Sequence, residues 1–236
     1  MGIYSPYEEE LWNYFVSEIG NEYGVAALMG NLKAESILTP GRIQNDLSSG
    51  MVPSDAYTEM LLNDQISETD FVGELNSNTK LFYYNGVRYG PAYGLAQWDY
   101  YSRRQDYWDL WHAGGHGVAG SLEFEEWFVV WELRNNYTYV LSVLQNATNI
   151  RQASDVVLIY YESPYDQSEA VKQGRAAIGQ RLYDEYAGTT PVPPSPPDPP
   201  DPPPDPPDPP DPPIPPTPIY PEVKKLPIIL YSRQPL

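Results

Sequence analysis

Proline is divided so unevenly along this chain that it sets the limit of what can fold. Of 27 prolines in 236 residues, only Pro6, Pro40, Pro53, Pro91 and Pro164 precede residue 191. Proline lacks the backbone donor and clashes with the turn before it, so neither a helix nor a central strand runs through a segment that rich in it. The packed domain is therefore expected within residues 1–188, a usual length for one domain with a sizeable core, and all six tryptophans lie there. Residues 189–218 read as an Asp/Pro-rich linker in which Asp-Pro-Pro recurs from 198 to 213 with one extra proline at 204. That composition predicts a disordered tail of polyproline II character, stiffened by like charges and roughly 90 Å in reach. Residues 219–236 are too short to fold alone and are a candidate docking peptide.

The charge narrows the function classes. The chain carries −18, and residues before 191 hold most of it with only eleven lysines and arginines. Phosphate contacts need clustered cations, so nucleic acid is excluded as a partner. With no cysteine, disulfides, thiol nucleophiles and thiolate zinc sites are excluded as well. No stretch approaches the roughly 18 apolar residues that span a bilayer. The start, Met1 to Glu10, lacks the basic and apolar runs of a secretory signal, so delivery by something other than a leader on this chain is the expectation.

Periodicity predicts a mainly α domain. Leu11, Trp12, Phe15, Val16 and Ile19 share one face of a helix over 8–19 that Gly20 ends. A second helix is expected over 22–36, with Val25, Leu28, Met29 and Leu32 on its apolar stripe and with Gly24 and Gly30 allowing close contact. Ser54 and Ser67 are expected to cap short helices, and Asn85-Gly86 between aromatic and β-branched residues predicts a small β-hairpin over 81–90. Further helices are expected over 101–113, 121–135, 138–147, 151–163 and 167–187.

One carboxyl stands out. Glu35 lies three residues after Leu32 and seven after Leu28, beside the apolar stripe and in the last turn of its helix. Desolvation and the negative end of the helix dipole both favour a protonated carboxyl there, which a general acid for glycoside cleavage requires. Downstream comes the run Tyr93-Gly94-Leu95-Ala96-Gln97-Trp98, whose aromatic faces suit the apolar side of a pyranose.

These runs resemble a known family. Asn31-Leu32-Lys33-Ala34-Glu35-Ser36 with Pro40, followed by Tyr93 to Trp98 and then Arg103 or Arg104, is similar to the phage tail lysozyme family, itself related to goose-type lysozymes and lytic transglycosylases. The resemblance covers about residues 8–187. It implies a lysozyme-like α+β domain that cuts the β-1,4 bond between N-acetylmuramic acid and N-acetylglucosamine in bacterial peptidoglycan. It implies Glu35 as the catalytic acid, Ser36 as its support and Gln97 as a cleft residue, with Tyr93 and Trp98 against sugar and Tyr161 of the Tyr160-Tyr161 pair facing the acid. Neither cofactor nor metal is called for. The expected setting is a phage tail or a prophage product acting on the wall, with tail proteins as candidate partners of the C-terminal peptide.

The second carboxylate stays open between Asp46, Asp55, Asp64, Asp70, Glu74 and Asp99, with Asp46 favoured because it follows Glu35 by a loop that can fold back. Hydrolysis, transglycosylation and a non-enzymatic glycan-binding or tail module all remain consistent with the residues. Glu162-Ser163-Pro164 repeats the Glu-Ser pair but reads as a helix end. His112 and His116 read as loop residues rather than zinc ligands, since Gly114-Gly115 breaks any helix that would align them.

Overall fold

The computed structural model describes residues 5–43, 53–73, 82–84, 87–89 and 92–188. The tail from 189 onward, the Asn85-Gly86 turn, Asp46 and Glu74 lie outside these residues. Helix dominates, in the order α1 (Glu8–Ile19), α2 (Glu22–Ser36), α3 (Pro53–Leu62), α4 (Glu68–Val72), α5 (Tyr101–Ala113), α6 (Leu122–Asn135), α7 (Thr138–Gln145), α8 (Ile150–Val157) and α9 (Glu169–Tyr186). Between α4 and α5, β1 (Phe82–Tyr84) pairs antiparallel with β2 (Val87–Tyr89), placing Tyr83 opposite Arg88.

The helix ends follow local chemistry. Asn21, Ser67, Ser121 and Asn149 each accept a hydrogen bond from the backbone N–H three residues on, satisfying a donor the helix leaves open. Gly20 closes α1 in the left-handed conformation at φ 77°. Ser54 does not cap α3 as expected. Proline is pre-shaped for the first helical position, so α3 begins at Pro53 and the Ser54 hydroxyl instead accepts the Ile43 N–H at 3.1 Å.

Helix α2 is the centre of the domain. Every residue from Gly24 to Leu32 is buried, so the helix is enclosed on all sides rather than along one stripe. It packs against α1, α7, α8 and α9. Such enclosure needs close approach of backbones, and the glycines supply it. A Cβ on Gly24 would lie 2.1 Å from the Leu144 carbonyl oxygen, and one on Gly30 2.6 Å from that of Arg175. Gly179 of α9 answers from the other side, where a Cβ would meet the Ala26 carbonyl at 2.6 Å. Truncating a fully buried leucine such as Leu28 to alanine would cost about 2–5 kcal/mol here.

The expected helix over 151–163 changes form before it ends. After Val157 the chain continues as a π-helical turn, Leu158–Glu162, closed by the Ser163 N–H donating to the Leu158 carbonyl at 2.8 Å. Ser163 itself is left-handed at φ 48°, and Pro164 follows. A π turn inserts a residue and redirects the side chains at its end, which here are Tyr161 and Glu162.

Candidate active site

The site begins where α2 stops. Ile37 and Leu38 both take left-handed backbone, at φ 59° and 56°, turning the chain sharply after Ser36. Glu35, in that last turn, keeps 23% of its side chain exposed and forms an ion pair with Arg175 of α9. The desolvated flank expected from the leucine spacing is therefore replaced by a guanidinium. Arg175 is held in turn by Asn31, whose backbone and side-chain oxygens each lie 3.4 Å from its Nη1. Asn31 is buried and donates to Ser154 Oγ of α8 at 3.0 Å, which explains its place in the motif. Ser36 does not touch the Glu35 carboxyl. Its buried hydroxyl donates to the Leu32 carbonyl at 3.1 Å and its own carbonyl accepts from Arg42 Nη1 at 2.9 Å, so it supports the backbone of the helix end.

The downstream motif is a tight loop joined to that same end. Tyr93 and Trp98 exchange both backbone hydrogen bonds, at 3.2 and 2.9 Å. The Arg42 carbonyl accepts from the Gly94 N–H at 2.7 Å and from Gln97 Nε2 at 3.0 Å. Gln97 is left-handed at φ 46°, a conformation costing about 1 kcal/mol or more, and its amide also donates to the Gly94 carbonyl at 2.9 Å. Arg42 is thus the physical link between the two runs, with its guanidinium on the first and its carbonyl on the second.

The three aromatic residues expected against sugar or facing the acid are buried, and of them only Tyr161 borders a cleft. Trp98 and Tyr93 are fully buried, and neither ring has a face free for sugar. The Trp98 indole donates to Glu132 Oε2 at 2.7 Å and its ring packs on Phe128 and Tyr107. The Tyr93 hydroxyl lies 2.7 Å from Thr58 Oγ1. Tyr161 is only 2% exposed and donates from its hydroxyl to Glu132 Oε2 at 2.8 Å. Its neighbour Tyr160 carries the exposed ring, at 55%.

Helix α6 supplies two carboxylates that the sequence reading passed over. Glu125 is fully buried and accepts the N–H of Gly41 at 3.0 Å, the N–H of Leu95 at 2.9 Å and the Tyr107 hydroxyl at 3.1 Å. Burial pushes its carboxyl up to about 7 despite these three donors. One helical repeat of seven further on, Glu132 takes Arg103 in a two-point contact, Nε at 2.7 Å and Nη2 at 2.8 Å, besides Trp98 and Tyr161. The signal was present as two glutamates seven apart on the apolar face that also carries Phe128 and Val129.

Beside this framework opens a cleft of about 530 Å³, between the start of α5 and the π turn, bounded by Asp99, Tyr100, Arg103, Tyr160 and Glu162. Glu162 presents a carboxyl whose Oε1 is buried without a hydrogen-bond partner. Burial first, and the charge of Glu35 second, hold that carboxyl well above the usual range, against Arg103 and Arg175. Asp99 is raised too, by burial, with Arg103 and Arg104 opposing and Glu35 adding. The field of Glu35 therefore reaches both cleft carboxyls, although Glu35 sits at another helix end. The other carboxylates weighed as partners, Asp55, Asp64 and Asp70, are exposed on or beside α3 and α4.

A family model described as phage tail lysozyme matches residues 7–186. The chain belongs to the phage tail lysozyme family. No curated protein and no solved structure matches it. Membership brings a lysozyme-like, peptidoglycan-directed activity of the glycosidase or lytic transglycosylase kind, and the match covers all nine α-helices of the described residues. No described helix is long and apolar enough to cross a membrane. In this phage tail lysozyme domain the two histidines serve the surface: His112 Nδ1 lies 2.8 Å from the Trp108 carbonyl and His116 stacks on Trp127.

Proposed function

We propose that this domain cleaves the β-1,4 bond between N-acetylmuramic acid and N-acetylglucosamine, with Glu35 as the general acid. Cleavage requires a proton on the departing glycosidic oxygen while positive charge grows at the sugar's anomeric carbon. Supporting this reading is one observation above others: Glu35 is fixed at the end of α2 by Arg175, within electrostatic reach of two carboxyls that line a cleft of sugar size. The exposed rings of Tyr100 and Tyr160 at the rim suit sugar faces, taking the stacking role first expected of Trp98 and Tyr93. Gln97 and Ser36 act indirectly, by fixing the loop and helix end around which the cleft is built.

A non-enzymatic module has no evident use for a buried, unpartnered carboxyl in its cleft. Glu35→Gln is expected to lower peptidoglycan clearing by about 100- to 10,000-fold with an unchanged circular dichroism spectrum. Clearing at the wild-type rate by the folded variant refutes the assignment. Mass spectrometry of the released muramic ends then separates the two chemistries, since reducing ends mark hydrolysis and anhydro ends mark attack by the substrate's own hydroxyl.

A further inference from the structure

We infer that Glu162 is the second carboxyl of this site, acting with Glu35 on the same glycosidic bond. The inference rests on the glycosidase reading of the cleft and adds a residue to it. Placement comes first. The π turn carries Glu162 to the cleft, and the left-handed Ser163 with Pro164 ends the helix directly after it. A regular helix through 163 would have directed this side chain elsewhere, because a π turn advances the chain by one residue without advancing the face.

The groups facing Glu162 come from four elements, and none is free to neutralise it. Glu35 approaches from the end of α2 and Glu132 from α6, both acidic. Arg103 of α5 spends Nε and Nη2 on Glu132 and Nη1 on the Tyr161 carbonyl at 3.3 Å. Arg175 of α9 spends Nη2 on Glu35 and Nη1 on Asn31. A carboxylate with a buried, unpartnered oxygen and no cation of its own is costly to ionise, whereas a neutral carboxyl in that place is tolerable.

Glycosidic cleavage needs a proton for the leaving oxygen and a second carboxyl to work with the acid. Glu162 keeps a proton in the cleft, and Glu35 delivers it as the general acid. The proton passes to the glycosidic oxygen as the C1–O bond breaks, the bonding electrons leaving with that oxygen. Water adding at C1 returns a proton to the pair and restores it. In the intramolecular variant, the attacking hydroxyl of the substrate returns it instead.

The test uses the full chain. Glu162→Gln matches the shape of a neutral carboxyl, so its folding is checked by circular dichroism and its clearing of purified peptidoglycan is followed against pH. Activity at pH 7 is expected to fall about 100-fold, and the basic limb of the profile, set by loss of the Glu162 proton, to change with it. Clearing within about twofold of wild type on an unmoved basic limb overturns the inference. Carbon-13 titration of the glutamate carboxyls gives a readout that needs no activity and no Glu162 variant. One carboxyl protonated near neutrality is expected to shift its midpoint down in Glu35→Gln, and a midpoint that stays put overturns the pairing. An inactive Glu35→Gln beside an active Glu162→Gln defeats the pair alone, whereas two fully active variants defeat the glycosidase site itself.

Discussion

Glu125 and Glu132 of α6 and the proposed site carboxyls Glu35 and Glu162 make two pairs whose oxygens are occupied in opposite ways. Each oxygen of Glu125 and Glu132 is occupied: two backbone N–H groups and a tyrosine on the first, an indole, a tyrosine and a two-point arginine on the second. Glu162 in the cleft keeps an oxygen with no partner, and Glu35 at the end of α2 has one arginine while remaining partly open. Burial alone does not mark a reagent. A carboxylate saturated with donors is a fastener, because changing its charge breaks every bond it makes, whereas one left short of donors can exchange a proton at little structural cost.

The largest effect expected from this contrast is at Glu132. Removing it by Glu132→Ala strands the largely buried Arg103 cation and frees the Trp98 and Tyr161 donors, a loss of about 3–5 kcal/mol in chemical denaturation. A loss below about 1 kcal/mol would erase the distinction between fastener and reagent.

How much of this was legible in the sequence follows from the range of each interaction. Helix α1 and the caps at Ser67 and Ser121 were legible, since a cap depends on residues three apart and an amphipathic face on a repeat of three or four. The run around Glu35 and the loop around Gln97 were legible as motifs, but their meaning was not. Asn31 and Arg42 act through partners 123 and 55 residues away. Trp98 was open to either fate because an aromatic ring suits a core as well as a sugar face, and only the position of Glu132 decides it. Glu162 was read as a helix end, which it is. The π turn that gives this end a direction leaves no mark in residue spacing, since it depends on how the helix is packed rather than on its own periodicity.

A smaller effect sharpens the comparison through pH. Glu125 and Glu126 are both pushed up to about 7, Glu125 by burial and Glu126 by burial with Glu10 and Glu123 adding. Their folded values lie above the ordinary glutamate value, so the native state binds protons that the unfolded chain releases. The stability they contribute is fully present below about pH 4.5 and is lost as pH rises through about 7. Glu126, whose Oε2 is buried without a partner, offers the cleaner variant. With a discount for solvent screening, Glu126→Gln should stabilise by about 1 kcal/mol at pH 8 and by nothing at pH 4. Thermal melts at the two pH values decide it, and an equal gain at both would show that charge is not the cause. Glu125 should not behave this way, because glutamine there sets an amide N–H against a backbone donor that the carboxylate now accepts.

The smallest effect on stability, and the most specific on activity, is expected at Tyr160, the aromatic counterpart of the unsaturated carboxyls. Trp98 is enclosed and hydrogen-bonded, whereas Tyr160 leans edge-on against Tyr139 at 5.4 Å with more than half its surface open at the cleft rim. Tyr160→Ala should leave stability within about 0.5 kcal/mol. If its ring carries a sugar, the variant loses about 1 kcal/mol of stacking that is equal in the ground and transition states, which raises KM roughly fivefold and spares kcat. Kinetics on soluble glycan chains check this. A change in kcat with KM unmoved would place Tyr160 among the groups that shape the reacting centre, while no change in either would remove the rim from the substrate's path and leave the carboxyls to define the site alone.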